Sequence, residues 1–311
     1  MHKKIIWPDG KKFAFTVFDD TDLATLSNVG EVYSLLSDLG IKTTKSVWPI
    51  KGPRIPKLGG STCEDPEYMR FLLDLQSKGF EIALHNVTYH SSEREDTVRG
   101  IEKFRQLFGH YPYSLANHAD CEESIYWGNY RLTGINEWVY NLLLRFRHKG
   151  IFRGAVEGDK YFWGDVCRDK IKYVRNFVYK ETNTLKACPF MPYHDPSRPY
   201  VNYWFASSEG PTVTQYNECL SEENMDSLEE EGGACIMYTH FGTNFMADGK
   251  LNQRFRFLME RLARKDVWAV PVSTLLDYLI KVNGHHDISA AERNRLERKW
   301  IWHKIRIGGS S

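Results

Sequence analysis

The rhythm in which short apolar runs alternate with helical periodicity constrains the fold of this chain more than any single motif. Phe13 to Phe18 form one apolar run, a helical pattern follows over about 29–39, and a second run spans 41–48. A helical pattern over 66–78, a run over 80–84 and another helical pattern over 93–108 complete the first 120 residues. Strands that alternate with helices of this length build βα units and a largely parallel sheet, with closure into a barrel left open. The punctuation agrees: Gly40 and Gly79 stand where helix ends need a residue tolerant of positive φ, and Asp65-Pro66-Glu67 supplies a cap and a first-turn proline.

Residues 121–215 break the rhythm, being rich in Trp, Tyr, Phe and Arg, as in Tyr161-Phe162-Trp163-Gly164-Asp165 and in Pro189 through Pro196. This stretch, set between 119 and 219, reads as a long aromatic insertion over one face of the sheet, serving as ordered core-covering loops, as a substrate groove, or as both. From 221 the α/β rhythm returns: an acidic helix through Glu229-Glu230-Glu231, a strand ending at His240, and a helix over about 251–264. A short strand Val267 to Val270 and a helix capped by Ser273 close a single domain over 1–282, for which 311 residues and 42% hydrophobic content provide ample core. The remainder, 283–311, is a basic helical tail with Trp300 and Trp302, open to docking on the domain, to pairing in a homo-oligomer or to a membrane surface.

Three apolar strands end in acids or imidazoles. Phe13 to Phe18 leads into Asp19-Asp20, Phe80 to Leu84 into His85-Asn86-Val87-Thr88-Tyr89-His90, and Cys235 to Thr239 into His240. Adjacent acids at the end of a buried strand are expensive to desolvate unless a cation or donors neutralise them. Mixed carboxylate and imidazole ligands suit a divalent ion, Zn2+ first, with a position left for water. Asp20, His85 and His90 are the expected ligands, Asp19 the unligated base that removes a proton from water, and His240 the donor to the departing group. That set performs metal-assisted hydrolysis of an amide or ester.

Other function classes recede. With 41 basic and 40 acidic residues the net charge is +1, so no global field favours nucleic acid or an anionic membrane. Met1 to Trp7 has no apolar core of signal-peptide length and no run of about 20 apolar residues spans a bilayer, which makes the cytoplasm the expected location. Six scattered cysteines without a CxxC pair read as reduced thiols.

At these residues the chain resembles the polysaccharide deacetylase, or NodB-homology, family. Phe15-Thr16-Val17-Phe18-Asp19-Asp20 is similar to the family's TFDD motif, whose first Asp is the base and second a metal ligand. Gly79 to Ile82 with His85 and His90 resembles the metal-binding histidine segment, Ile236 to His240 the late strand with the general-acid His, and Val270 to Leu279 the closing strand and helix. The resemblance covers 5–118 and 220–282 and implies a distorted (β/α)7 barrel that removes an N-acyl group, N-acetyl foremost, from a carbohydrate. Without a secretion signal a sugar precursor is favoured over finished wall polymer, in the setting of surface-polysaccharide synthesis. A non-catalytic carbohydrate-binding module and a hydrolase of a small non-sugar amide are the alternatives.

Two departures carry expectations of their own. The family's histidines are four apart whereas His85 and His90 are five apart, about 100° further round a regular helix, so an unabsorbed extra residue makes His118, His194 or His240 a competing ligand. The family's Arg-x-Pro segment, which orients the base, falls near Leu115-Ala116-Asn117-His118, where no Arg stands. Asn117, His118, Trp163, His194 and Trp204 are the expected substrate contacts, with Arg145, Arg147, Arg153 and Arg198 available for a phosphorylated or nucleotide-linked sugar.

Overall fold

The computed structural model describes residues 5–53, 56, 58–119, 121–147 and 149–307, so the first four residues and the end of the expected tail lie outside the described residues. The chain runs β1 (Phe13–Asp19), α1 (Leu26–Asp38), β2 (Thr44–Val47), α2 (Pro66–Ser77), β3 (Glu81–Leu84), α3 (Arg94–Phe108) and β4 (Ser114–Leu115). A 3-10 turn (Gly128–Arg131), α4 (Gly134–Leu143) and α5 (Gly164–Lys170) lead to β5 (Tyr173–Tyr179), α6 (Thr184–Ala187) and β6 (Tyr203–Glu209). Then follow α7 (Val213–Cys219), α8 (Glu222–Glu231), β7 (Ala234–Thr239), a small hairpin of β8 (Met246–Ala247) and β9 (Lys250–Leu251), α9 (Gln253–Ala263), β10 (Val267–Ala269), α10 (Val272–Asn283) and α11 (Ala290–Ile307).

Strands β1 to β7 pair in sequence order, all parallel, and β7 returns to β1 through Ala14↔Ala234 to Asp19↔Thr239, which closes a seven-stranded barrel. Every residue of β1 is buried, because one face meets the barrel interior and the other the helical layer, and a strand buried on both faces reads as an unbroken apolar run. The other edge of β1 is shared: β10 takes Phe13 to Phe15 and β2 takes Phe18 and Asp19. This split splays β1 from β2 at the bottom and gives the (β/α)7 barrel its distortion.

Glu81 ties the bottom together. Its buried carboxylate accepts from Thr44 Oγ1 (2.8 Å), Ser114 Oγ (2.6 Å) and the backbone N–H of Ser273 (2.9 Å), linking β2 and β4 to the first turn of α10. An acid at a helix N-terminus satisfies donors that have no partner within the helix. Val272 N–H finds Thr44 Oγ1 in the same way, so the helix begins one residue before the expected Ser273 cap.

One expectation is corrected. Within 119–219, read as an insertion, β5 and β6 are two of the seven staves, paired from Tyr173↔Tyr203 onward with a register shift between Arg175 and Val178. Arg175, Asn176, Ser207 and Ser208 put polar groups into buried strands, which hid them from a reading based on apolar runs. The segments that do lie over the mouth are 116–163, with α4, and the expected tail. Helix α11 is docked: Trp300 is fully buried against Tyr140 and Phe177, Tyr179 Oη donates to Leu296 O at 3.1 Å, and Lys304 reaches Glu209 at the end of β6 (3.0 Å). Trp302 stays exposed, and among the described residues no helix is long and apolar enough to cross a membrane.

Candidate metal centre at the barrel mouth

Successive side chains of a strand point to opposite faces, so Asp19 and Asp20 cannot both enter the site. Asp19 shares the outward face of β1. Its Oδ2 lies 2.8 Å from Lys45 Nζ and accepts from Tyr33 Oη of α1 (2.8 Å), while Oδ1 accepts from Phe241 N–H (2.8 Å). Asp19 and Lys45 are both 0% exposed. Burial pulls the Lys45 ammonium down, but Asp19 outweighs it and the pKa ends above its ordinary value. An acid holding three donors in the wall has no route to a substrate, and the expected role of Asp19 as base is corrected on that ground.

Asp20 points inward and is gripped by Arg175 of β5, with Nη1 to Oδ1 at 2.8 Å and Nη2 to Oδ2 at 2.5 Å. This fork fixes both carboxylate oxygens. The arginine missing from 115–118 is therefore supplied by another strand, and it stacks over the Tyr238 ring at 4.4 Å.

In the turn that follows β1, Asp22 meets the histidines. Asp22 Oδ2 is 2.9 Å from His85 Nε2, Asp22 Oδ1 is 3.1 Å from His118 Nδ1, and the two ring nitrogens are 3.2 Å apart. His240 Nε2 lies 3.5 Å from Asp22 Oδ2 and 3.3 Å from Tyr238 Oη, its Nδ1–H directed to Pro211 O (3.0 Å). Two groups of residues bring donor atoms close enough to hold an ion, Asp22 with His85 and His118, and Asp20 with Asp22 and His240.

The first group fits a divalent cation on the chemistry of its donors. His85 Nδ1 faces the carbonyl of Ala116 at 3.0 Å; a carbonyl only accepts, so the proton sits on Nδ1 and the Nε2 lone pair of the neutral ring is aimed at Asp22 and His118. Donor atoms converging at 2.9–3.2 Å are held together by ring protons or by a cation between them. A tetrahedral ion with bonds of about 2.1 Å has ligand-to-ligand edges of about 3.4 Å, so a small outward shift admits one. The backbone carbonyl behind His85 is the customary outer partner of a ligating imidazole. Burial favours a neutral Asp22, yet His85 and His118 outweigh it and hold the carboxyl well below its usual range; burial likewise opposes a charged His85, but Asp20 and Asp22 raise its pKa.

Behind His118 stands a buried relay. Its backbone N–H donates to Asn86 Oδ1 (3.3 Å), and Asn86 Nδ2 donates to Glu123 Oε1 (3.0 Å), whose Oε2 accepts from Ser92 N–H (3.1 Å). Burial pushes Glu123 up to about 8.

The other expected site residues lie elsewhere. His90 packs on Tyr89 at 5.1 Å beneath Gly52, where a Cβ would stand 2.6 Å from His90 Cδ2, and it joins neither metal-capable group among the described residues. The expected ligand set Asp20, His85 and His90 is thus replaced as a geometric cluster by Asp22, His85 and His118, with His90 packed on Tyr89 instead. Asn117 is spent on the backbone of Ile125, donating to its O (3.0 Å) and accepting from its N–H (2.9 Å). Trp163 is buried, donating to Glu123 O (2.6 Å); His194 pairs with Asp287 (2.9 Å); Trp204 is buried, its backbone paired with Tyr193. Arg153 and Arg198 are engaged by Glu122 and Asp195, and Arg145 and Arg147 are exposed. Asp22 and Arg175 were missed. Asp22 lies in the turn after β1, where strand alternation no longer tells which way a side chain points.

No family model and no curated protein matches this chain. Solved structures do. A PuuE allantoinase aligns with a TM-score of 0.51 and 11% identity over 89% of this chain and 93% of its own. A provisionally assigned polysaccharide deacetylase from Mycobacterium smegmatis aligns at 0.50 and 12% over 92% and 96%, and a probable polysaccharide deacetylase from Pseudomonas aeruginosa PAO1 at 0.50 and 12% over 89% and 94%. At such identities the likeness is one of fold: the chain has the (β/α)7 barrel of the NodB type.

Proposed function

We propose that this protein is a divalent-metal-dependent hydrolase that removes an N-acyl group, N-acetyl foremost, from a sugar precursor. The observation that carries the reading is the convergence of Asp22, His85 and His118 at the mouth, beside an Asp20 held by Arg175. When bound there, Zn2+ or a similar ion would lower the pKa of water and polarise an acyl carbonyl. Asp20, oriented through both its oxygens, would accept the proton of the attacking water. Arg175 keeps that carboxylate aimed through both oxygens. His240, with Nδ1–H committed to Pro211 O, presents Nε2 toward the centre and would carry a proton to the departing amine.

Asp22 is only 11% exposed at its side chain, an enclosure that supports a small precursor over a polymer. A role in surface-polysaccharide synthesis inside the cell is the setting we favour. The same enclosure also favours a second reading, hydrolysis of a small non-sugar amide, as in the allantoinase that shares the fold. The test is acetate release from free, phosphorylated and nucleotide-linked N-acetylglucosamine by Zn2+-loaded protein, with allantoin tested in parallel. Release that disappears with a chelator and returns with the ion supports the reading; stoichiometric metal without turnover of any acylated sugar would sink it.

A further inference from the structure

Among the described residues, buried cations of the barrel and its covering helices pair with acids, and Arg131 does not. Arg175 has Asp20, Arg198 has Asp195, Lys45 has Asp19 and Lys304 has Glu209. Arg131, at the end of the 3-10 turn before α4, is 1% exposed, yet its Nε, Nη1 and Nη2 have no hydrogen-bond partner among the described residues. Its guanidinium lies 3.2 Å from the centre of the Trp127 ring and 5.2 Å from that of Trp300. The Trp300 indole N–H beside it is buried and unpaired as well.

Aromatic faces offset part of the cost of burying a guanidinium but leave its in-plane N–H groups unsatisfied. Several unpaired donors side by side are complementary to an oxyanion, and the arginine fork matches phosphate and carboxylate geometry. Burial pulls Arg131 down to about 9, a cost that a bound anion would relieve. Contacts lead from the niche to the centre: Trp300 packs on Phe177 of β5, two residues beyond the Arg175 that holds Asp20, and Arg175 stacks over Tyr238, whose Oη is 3.3 Å from His240 Nε2.

We propose that Arg131, between Trp127 and Trp300, receives an oxyanion, phosphate or carboxylate, carried by the substrate whose acyl group reaches Asp20 and Asp22. The identity of that substrate rests on the hydrolase reading; the anion site does not. An anionic group anchored there would orient the acyl amine and set a preference for charged over neutral sugars.

The experiment is a titration of intrinsic tryptophan fluorescence with sodium phosphate and, separately, sodium acetate at constant ionic strength, with chloride as control. The expected result is a saturable change with at least one of the two anions, absent in Arg131→Gln and weakened about tenfold or more in Arg131→Lys, where charge remains but the fork is lost. Response to phosphate alone assigns a phosphoester, and response to acetate alone a carboxylic acid. The proposal is overturned if neither anion differs from chloride in the wild type, or if Arg131→Gln responds as the wild type does. Should Arg131→Gln fail to fold, the wild-type titration and Arg131→Lys decide. No ion and no turnover enter the readout, so its failure leaves the hydrolase reading standing, and anion binding without acetate release breaks only that reading.

Discussion

Two buried carboxylates meet at the end of β1, and the comparison between the outer and inner sides of that strand end separates wall from site. On the outer side Asp19 faces Lys45, Tyr33 and the Phe241 N–H, all within 2.8 Å, and the cluster is sealed under α1. On the inner side Asp20 faces Arg175, and Asp22 faces the two imidazoles of His85 and His118. The outer group is complete by itself and holds the helical layer to the barrel. The inner group brings acids and imidazoles together with donor atoms close enough to hold an ion.

Substitutions can break or sharpen this contrast. Asp22→Asn is expected to have the largest effect: metal affinity falls by more than the roughly 100-fold typical of an outer partner, and acylated-sugar hydrolysis drops to background, as read by chelator competition and acetate release. Retained metal and rate would move the centre elsewhere. Asp20→Asn is expected to lower the hydrolysis rate by about 10²–10⁴ with metal content preserved, the range for loss of a positioned base. Loss of the ion along with the rate would make Asp20 a ligand.

Asp19→Asn tests the outer side. Breaking a sealed pair by removing one partner costs about 3–5 kcal/mol, so denaturant midpoints should fall while turnover per folded molecule stays within about tenfold. Unchanged stability with abolished turnover would reverse the roles of the two acids. His90→Gln should leave metal content unaltered by elemental analysis, since His90 lies outside both metal-capable groups.

The smallest effect concerns pH. Glu123, raised from its ordinary 4.5 to about 8, binds its proton more tightly folded than unfolded. Its contribution to stability is full below about 4.5 and is lost as pH rises through about 8. Glu123→Gln should flatten that decline in chemical denaturation measured on either side of this window.

Much of the architecture was legible in particular residues. Phe13 to Phe18, Glu81 to Leu84 and Ala234 to Thr239 read as strands because burial on both faces demands continuous apolar runs, and they delivered His85 and His240 to the mouth as expected. The barrel strands β5 and β6 were not legible, since Arg175 and Ser207 place polar groups where a core strand has none. His118 stood as a competing ligand because of the awkward His85 to His90 spacing, and it is the ring whose Nδ1 meets Asp22.

By itself the sequence determined the βα rhythm and the largely parallel character of the sheet, because apolar periodicity and helix punctuation act over a dozen residues at a time. Which carboxylate meets which imidazole was decided by the tertiary structure. Closure of the barrel brings residues 20, 22, 85, 118, 175 and 240 to one end, and strand parity at that end sends Asp19 outward and Asp20 inward. Neither circumstance leaves a local trace, since the partners are separated along the chain by 63, 155 and 222 residues, as in His85 with Asp22, Arg175 with Asp20 and Phe241 with Asp19.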